Sequence, residues 1–471
     1  VIDDDSVGDQ TEMPLLISVS LLDCDMYCND PKSARQAMCF HLDPKMSPSL
    51  AFVQFPQKFY NISKDDIYDS QLRSTFKILW RGFDGLKGPC LSGTCFFIKR
   101  DALYRASIQE GNDVIELEHT FGLSEDFIKS LGQKDKANVT SLGDSSSKVL
   151  QETLQLASCA YENQTKWGEE ASSYIGIKTT RPDSLPFVGF RYFSLVEDYF
   201  TGFNLHYKGW TSVYFDPPRP FFLGAGTTNL NDFLVQGTRW ACGLVEVGIS
   251  RFCLLYGSLR MSIPQSICYG ELAFFPFYFL PLWCLATIPQ LCLVNGISLY
   301  PEVSNSYFML FSLIFISSQS KHMQEVLSTG GSIQTWRNEQ RVWMMKSVTS
   351  HLYGSLDAIM ERLGIKQSSF LLTNKIVDDE QVEHYHMGKF DFQTSTMLLV
   401  PLCTLTNLNV ASKLRHNVYS SFPLGFHRNI ELPIIEGLGL RTDKGCVPLQ
   451  SHFLSAVLSV AFLFFGSLAI M

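Results

Sequence analysis

Two aspartates, Asp23 and Asp25, follow an apolar run at residues 15–22 that has the length of a β-strand. In an extended segment, residues two apart point the same way, so both carboxylates can face one ligand. Two such carboxylates suit a hard divalent cation that also binds a diphosphate. A chain of this length holds roughly one Asp-x-Asp by chance. The position of this pair directly after a predicted strand is what favours a functional role.

A second acidic pair, Glu197 and Asp198, precedes an amphipathic stretch at residues 199–210. A carboxylate held near the start of a helix could act as a general base. The commoner use of such a residue is to stabilise the first turn of the helix. The residues alone leave both interpretations open.

The motif Gln236-Gly-Thr-Arg-Trp240 stands shortly before the most apolar part of the chain. Arg239 suits a phosphate or pyrophosphate group, and Trp240 offers a flat face to a sugar ring. The alternative is an interfacial tryptophan beside an arginine that reaches toward water. Further on, a polar loop that carries Thr373 and Lys375 could close over a diphosphate, although an ordinary polar loop has the same composition.

Strand-like and helix-like patterns alternate through residues 1–265 and must position these groups. Strands are predicted at 15–22, 50–55, 91–99 and 211–215, and helices at 33–40, 147–160 and 198–207. This alternation indicates one α/β domain with a mixed, largely parallel sheet and flanking helices. Ligands of such sheets gather outside the carboxyl ends of the strands, where Asp23 and Asp25 stand.

Four runs without Asp, Glu, Lys or Arg mark the C-terminal part, at residues 272–301, 303–320, 392–412 and 446–471. A helix that crosses a bilayer needs about 20 largely apolar residues. Residues 266–471 are therefore predicted to be α-helical and transmembrane. The basic residues of segment 321–391 place it in the cytosol with the N-terminal half. The loop at 413–444 carries five Lys and Arg residues, which leaves the topology after Lys413 open.

The composition excludes several classes of protein. The 471 residues carry a formal net charge of −8, which gives no electrostatic footprint for nucleic acid. The 13 cysteines contain no C-x-x-C pair, which excludes a zinc ribbon. A transporter would show paired broken spans in corresponding halves, and its large α/β half would have no explanation.

The order of the motifs resembles that of processive family-2 glycosyltransferases, and several local sequences resemble the plant cellulose synthase superfamily. These are Leu22-Asp-Cys-Asp-Met-Tyr-Cys-Asn-Asp30, Gln54-Phe-Pro-Gln57, Leu91-Ser-Gly-Thr94 and Asn229-Leu-Asn-Asp232. Three more are similar to the cellulose synthase-like G subfamily: Val196-Glu-Asp198, Ser328-Thr-Gly-Gly331 and Met387-Gly-Lys-Phe-Asp391. The resemblance covers nearly all of residues 13–471.

The resemblance implies a role for each candidate residue. Asp198 would be the general base that takes the proton of the acceptor hydroxyl, and Asp25 would hold Mn²⁺ or Mg²⁺. The donor, a UDP-sugar, would be bound by Asp23, Asp25, Arg239, Thr373 and Lys375. The acceptor would be bound by Glu197, Gln236 and Trp240. Segment 321–391 would carry the gating loop over the nucleotide.

The implied function is inverting transfer of a sugar to a β-glycan of the plant cell wall by a multi-pass enzyme in the Golgi or endoplasmic reticulum, with its catalytic domain in the cytosol. Two alternatives stay open. One is glucuronosyl or other glycosyl transfer to a triterpenoid acceptor, and the other is an inactive paralogue that acts as a membrane partner. The partners are thus a UDP-sugar, a glycan or triterpenoid and the lipid bilayer, and a homo-oligomer is compatible with them.

The sequence departs from the family pattern in four places. The first conserved aspartate of the family and its N-terminal spans would lie upstream of Val1, so the chain reads as N-terminally truncated. A segment is missing after Ser20, residues 171–189 read as an insertion, and the span expected near 415–435 is irregular. A faulty gene model or a pseudogene product would explain all four.

Overall fold

The computed structural model describes residues 18–99, 102–103, 194–250, 260–301, 304–365, 379–415 and 432–470, apart from positions 24, 65, 298, 300, 440 and 442. The chain divides into two compact units. The first unit comprises residues 1–23, 31–55 and 87–216, and the second comprises residues 24–30, 56–86 and 217–471. The predicted helix at 147–160 and the predicted insertion at 171–189 lie outside the described residues.

Four of the described strands lie close to the positions that the sequence predicts, with shorter bounds, whereas the strands at Met26–Cys28 and Phe222–Gly224 were not predicted. The described strands are β1 (Ser18–Leu21), β2 (Met26–Cys28), β3 (Leu50–Gln54), β4 (Phe96–Lys99), β5 (Thr211–Tyr214) and β6 (Phe222–Gly224). The strand predicted at 91–99 begins only at Phe96, because Gly93 and Cys95 have φ angles of +37° and +64°. Such left-handed residues turn the chain and cannot continue a strand.

The described helices lie in both units. They include α1 (Ser33–Leu42), α2 (Trp80–Asp84), α3 (Glu197–Tyr207), α4 (Leu230–Gly248), α5 (Ile263–Phe274), α6 (Phe279–Val294), α7 (Ser306–Ser328), α8 (Ile333–Lys346), α9 (Leu352–Arg362), α10 (Asp379–His386), α11 (Thr396–Arg415) and α12 (Leu449–Ile470). Two of these helices, α1 and α3, belong to the first unit, and the others belong to the second. A 3₁₀ turn at Phe275–Tyr278 joins α5 to α6, and a π-helical segment at Ser347–His351 joins α8 to α9.

The first unit is built on a four-stranded sheet with the order β1-β4-β3-β5. Strand β4 pairs antiparallel with β1 and with β3, whereas β3 and β5 are parallel. The sheet is therefore mixed, as predicted, but among the described strands only one pair is parallel. The reason is that the reversed strand β4 lies between β1 and β3. Strands β1, β3 and β5 still run in the same direction, so their carboxyl ends share one edge.

Strand β3 is the centre of the first unit, since all five of its residues are buried. A strand covered on both faces reads as a continuous apolar run, which explains the sequence Leu-Ala-Phe-Val at 50–53. Helix α3 packs closely on the segment that precedes β4. A Cβ atom at Gly202 would lie 2.8 Å from the backbone nitrogen of Leu91, so a glycine is required at this crossing.

The second unit has a helical core around α4, α8 and α11. Its buried side chains include Tyr68, Phe233, Met345, Phe392 and Leu399. The unit also holds a buried ion pair, in which Arg73 Nη2 lies 2.7 Å from Glu339 Oε2. Burial opposes ionisation of Glu339, but hydrogen bonds from Arg73 and His322 prevail and lower the pKa of its carboxyl.

All four predicted apolar runs contain helices in the structure, and two helical stretches among the described residues are long and apolar enough to cross a membrane. These are residues 263–294 and 449–469. The apolar part of α11, Thr396–Ser412, is shorter. Helix α7 falls outside the two stretches, although much of its first half exposes large apolar side chains.

Candidate active site

Asp198 occupies the first turn of α3 in the first unit and is partly buried. The backbone N–H of Gly93 donates a hydrogen bond to its Oδ2 atom, with an N···O distance of 2.6 Å. The backbone N–H of Tyr199 donates to Oδ1 at 2.7 Å. Both carboxylate oxygens therefore have a fixed partner, and the side chain is held in one orientation.

The loop that carries Gly93 is itself held by Gln54, the last residue of β3. The amide oxygen of Gln54 accepts a hydrogen bond from the backbone N–H of Ser92 at 3.0 Å. Its Nε2 donates to the carbonyl oxygen of Thr94 at 2.9 Å. A buried side-chain amide with its donor and acceptor satisfied by one loop fixes the conformation of that loop. This matters because Gly93 and Cys95 adopt left-handed backbone angles.

Asp23 is hydrogen-bonded to the same loop, and it follows β1, which lies on the opposite side of β4 from β3. Its backbone N–H donates a hydrogen bond to Thr94 Oγ1 at 3.0 Å. Asp23 follows the carboxyl end of β1, Gln54 ends β3, and the loop enters β4 at the same edge. The structure thus brings Asp23 and Asp198 to adjacent residues of one loop, at the edge where the sequence predicts a ligand.

The surroundings of Asp198 alter its acidity. Burial raises the pKa of its carboxyl, hydrogen bonds from Gly93 and Tyr199 oppose this effect, and the negative charge of Asp23 raises the pKa further. The net result is a pKa above the ordinary value for an aspartate. A carboxylate with a raised pKa is a stronger base, which is the property that proton abstraction needs.

Glu197 is the first residue of α3 and is partly buried. Its carbonyl oxygen accepts a hydrogen bond from Thr201 Oγ1 at 2.6 Å, as part of the first turn. The two acidic residues thus both stand at the helix start, where the partial positive charge of the helix favours carboxylates. The two interpretations offered by the sequence are compatible, because Asp198 stabilises the turn and also points to the loop at 92–94.

Asp25 belongs to the second unit and directly precedes β2. Met26 pairs with Gly224 of the antiparallel strand β6. A Cβ atom at Gly224 would lie only 1.9 Å from Met26 Sδ, so a glycine is needed for this pairing. The short sheet fixes the backbone at Asp25, whose side chain is partly exposed.

The motif at residues 236–240 lies in the middle of α4, which begins at an N-cap formed by Asn229. The cap oxygen accepts a hydrogen bond from the backbone N–H of Asp232 at 2.8 Å. The helical spacing of three and four residues places Gln236, Arg239 and Trp240 along one face. All three side chains are partly exposed. The structure thus places two predicted acceptor-binding residues, Gln236 and Trp240, and the predicted diphosphate-binding Arg239 on one helix of the second unit.

The remaining candidates, Thr373 and Lys375, lie outside the described residues, as does most of the predicted gating loop around them. Three supporting residues were missed by the sequence reasoning: Gln54, Gly93 and Thr94. Each lies within a motif that carried the family resemblance. The motif positions therefore pointed to them, although the long-range hydrogen bonds that define their roles leave no pattern in the sequence.

The donor chemistry of Asp25 fits a hard divalent cation. Mg²⁺ is commonly held by one or two carboxylates together with the phosphates of a substrate, and it does not need a complete protein cage. Among the described residues, the three-residue cluster with metal-ligand spacing is Cys242, Glu246 and Glu361, which does not include Asp25. Asp25 is therefore suited to bind a cation that arrives with a diphosphate.

Comparison with known proteins defines the family. A model of the cellulose synthase family matches residues 11–114 and 105–423. The chain therefore belongs to the cellulose synthase family, in agreement with the resemblance of its motifs. The similarity to the G subfamily in particular stays a prediction.

Individual relatives cover most of this chain. It is 45% identical over 395 residues, 83% of its length, to quillaic acid 3-O-glycosyltransferase of Saponaria officinalis. It is 32% identical over 92% of its length to cellulose synthase-like protein E2 of Oryza sativa subsp. japonica. It is 29% identical over 86% of its length to the UDP-forming cellulose synthase A catalytic subunit 5 of Arabidopsis thaliana. The chain spans 54%, 55% and 41% of these proteins, respectively.

Proposed function

We propose that the protein transfers a sugar from a UDP-sugar to an acceptor hydroxyl by a single inverting displacement. The observation that carries this proposal is the attachment of Asp198 and Asp23 to one loop at the carboxyl edge of the sheet. Asp198 takes the proton of the acceptor hydroxyl as its oxygen forms a bond to the anomeric carbon. The bond from that carbon to the diphosphate oxygen breaks on the opposite face, and UDP leaves with the electron pair.

The donor side of the reaction requires neutralisation of the leaving diphosphate. In this proposal Asp23 contacts the nucleotide, Arg239 pairs with phosphate oxygens, and Thr373 and Lys375 belong to the loop that closes over them. Asp25 holds Mn²⁺ or Mg²⁺, and the ion stabilises negative charge on the diphosphate when it is bound. Asp25 and Arg239 are both partly exposed, as contact with a diffusible donor requires.

The acceptor that we propose is a triterpenoid-type small molecule. This choice is supported by the 45% identity to quillaic acid 3-O-glycosyltransferase, against 29% to a cellulose synthase catalytic subunit. Gln236, Trp240 and Glu197 would contact this acceptor. The partly exposed indole of Trp240 suits a fused apolar ring system as well as a sugar ring.

A β-glycan of the cell wall is the second candidate acceptor. It is favoured by the similarity to the cellulose synthase catalytic subunit, which extends over 86% of this chain. An inactive paralogue that serves as a membrane partner is the remaining alternative. The presence of Asp198 and its two backbone hydrogen bonds argues against it, because loss of function removes the need for this geometry.

The proposed location is the Golgi or endoplasmic reticulum membrane, with the catalytic part in the cytosol and several membrane spans. The two apolar helical stretches at 263–294 and 449–469 support membrane association. The proposed organisation keeps residues 1–265 as the glycosyltransferase domain and residues 266–471 as the membrane region. A homo-oligomer is compatible with this arrangement.

The test is an assay of UDP release from microsomes that contain the chain. UDP-glucose, UDP-galactose and UDP-glucuronate are supplied in turn with Mn²⁺ or Mg²⁺, and each with a triterpenoid aglycone or a short β-glucan. We expect acceptor-dependent UDP release and a glycosylated aglycone by mass spectrometry. If only the glucan is elongated, the acceptor is a β-glycan and not a triterpenoid. If folded, membrane-inserted protein transfers no sugar to either acceptor, the result contradicts the enzymatic proposal.

A further inference from the structure

The helix that carries the candidate acceptor motif, α4, is approached at very short range by the end of α8 and the start of α9. A Cβ atom at Gly354 would lie 2.6 Å from the carbonyl oxygen of Thr238 and 2.8 Å from the backbone nitrogen of Cys242. A Cβ atom at Gly237 would lie 2.8 Å from Lys346 Cε. The two glycines therefore allow a close approach, and the stem of Lys346 lies directly on the middle of the motif.

The ammonium group of Lys346 ends between two aromatic rings of α4. Its Nζ atom lies 5.2 Å from the ring centroid of Phe233 and 5.2 Å from the ring centroid of Trp240. A cation within about 6 Å of an aromatic centroid is attracted to the ring face. Residues seven apart stand on one side of a helix, so one lysine contacts both rings from the same side.

The electrostatic surroundings keep this lysine in place. Burial lowers the pKa of Lys346 to about 8, while the negative charge of Asp69 raises it. The ammonium form thus predominates at neutral pH. Ser350, one turn further along, donates a hydrogen bond to the carbonyl oxygen of Leu234 at 2.8 Å. This bond ties the same segment to α4 and limits movement of Lys346 across the motif.

We propose that Lys346 is a positioning residue that fixes the plane of the Trp240 indole, so that the exposed part of the ring receives the acceptor. The proposal rests on the function proposed above, in which Trp240 contacts the acceptor. Lys346 touches neither substrate nor the reacting atoms, and its effect passes through the orientation of one side chain. Lys346 is the last residue of α8 and lies more than 100 residues after Trp240 in the sequence.

The test compares Lys346→Met with Lys346→Arg. Methionine keeps much of the apolar stem and removes the charge, whereas arginine restores a cation over the rings. Lys321→Met is the matched control, because the side chain of Lys321 is 79% exposed and forms its ion pair with the solvent-accessible Glu325 of the same helix. Thermal unfolding of each variant in detergent shows whether the protein remains folded.

Two readouts are combined, and the first does not need activity. Hydroxyl-radical oxidation of Trp240, followed by peptide mass spectrometry, should rise about 2- to 5-fold in Lys346→Met, because the ammonium no longer covers one ring face. The acceptor KM should rise by about 3- to 30-fold, which is the change in equilibrium constant that corresponds to the loss of one cation–π contact. The donor KM should stay unchanged. Lys346→Arg should show Trp240 oxidation and an acceptor KM close to those of the wild-type chain.

Unchanged oxidation of Trp240 in a folded Lys346→Met variant would overturn the proposal. Equal increases in the donor and acceptor KM would also overturn it, since they indicate a general structural defect. If the wild-type chain transfers no sugar, the proposed function fails independently, and the oxidation of Trp240 still decides whether Lys346 holds the indole.

Discussion

Asp198 stands under opposing influences that together set the pH at which it can act as a base. Burial and the charge of Asp23 disfavour its carboxylate form, and two backbone N–H donors favour it. The net rise in its pKa means that protonation begins at a higher pH than for a solvent-exposed aspartate. Because the proposed reaction needs the carboxylate, we expect activity to be lost as the pH falls through this raised value.

This acidity leads to a prediction about the pH profile. The acid limb of kcat/KM should have its midpoint above 3.8, the ordinary value of an aspartate. Asp23→Asn should lower that midpoint in the residual activity, because removal of the nearby negative charge stabilises the carboxylate of Asp198. Asp43→Asn, which changes a carboxylate at the end of α1, is the control and should leave the midpoint where it is. An acid limb unaffected by Asp23→Asn would show that another group controls the profile.

At the scale of elements, the candidate aspartates are positioned by the edge of the sheet, where β1, β3 and the loop before β4 meet, and not by any single strand. Gln54 links the end of β3 to the loop before β4, and that loop holds both candidate aspartates. The loop contains the left-handed Cys95, whose backbone angle is strained for a residue with a side chain, so surrounding contacts must offset the cost. Gln54 supplies those contacts.

Gln54→Leu should therefore reduce kcat by about tenfold or more, because a small displacement of reacting groups has a large effect on rate. Leucine removes the hydrogen bonds to Ser92 and Thr94 and leaves their backbone groups without this partner. Steady-state kinetics on the membrane fraction would measure the change. Gln36→Leu on α1 is the matched control. A Gln54→Leu enzyme with wild-type kcat would show that the loop is held by other means.

The crossing of α4 and α9 gives a prediction about stability. Gly354→Ala should destabilise the protein by about 1–3 kcal/mol, since the added methyl group meets backbone atoms of Thr238 and Cys242 below 3.0 Å. Gly82→Ala on α2 has open space around it and should be neutral or slightly stabilising. Thermal unfolding in detergent compares the two variants, and equal unfolding temperatures would contradict the close crossing.

Local patterns predicted where elements lie better than how they pair. The strand predicted at 50–55 and the helix predicted at 198–207 match β3 and α3 to within one residue at each end. The reason is that apolar runs and amphipathic spacing depend on residues that are close together in the sequence. The strand predicted at 91–99 was too long, since Cys95 adopts a left-handed angle that its residue type does not favour. The reversed direction of β4 depends on pairing with distant strands and could not be read locally.

At the scale of the whole molecule, the two apolar helical stretches are long enough to cross a bilayer and lead to a prediction about membrane association. Large apolar side chains such as Phe453, Val460 and Phe465 are exposed on α12, and a surface of this kind is stable when lipid covers it. The chain should therefore remain in the membrane pellet after alkaline carbonate extraction, whereas a lumenal soluble marker should be released. Recovery of the chain in the supernatant would contradict a membrane-spanning arrangement.

The candidate site was predicted unevenly from the sequence. Asp23, Asp198 and the motif at 236–240 stood out because their order along the chain resembles that of the family motifs. Gln54 and Lys346 did not, because their partners lie 38 or more residues away and only the fold brings them together. The roles of Thr373 and Lys375 stay predictions, as these residues lie outside the described part of the chain.

The most direct measurement is the rate of acceptor-dependent UDP release by the wild-type chain and by Asp198→Asn, at saturating donor and with equal amounts of folded, membrane-inserted protein. Asparagine preserves the size of the side chain and removes the base, so we expect the rate to fall on the order of 100-fold or more. Asp43→Asn should retain the wild-type rate. Equal rates for the wild-type and Asp198→Asn chains would contradict the assignment of Asp198 as the catalytic base.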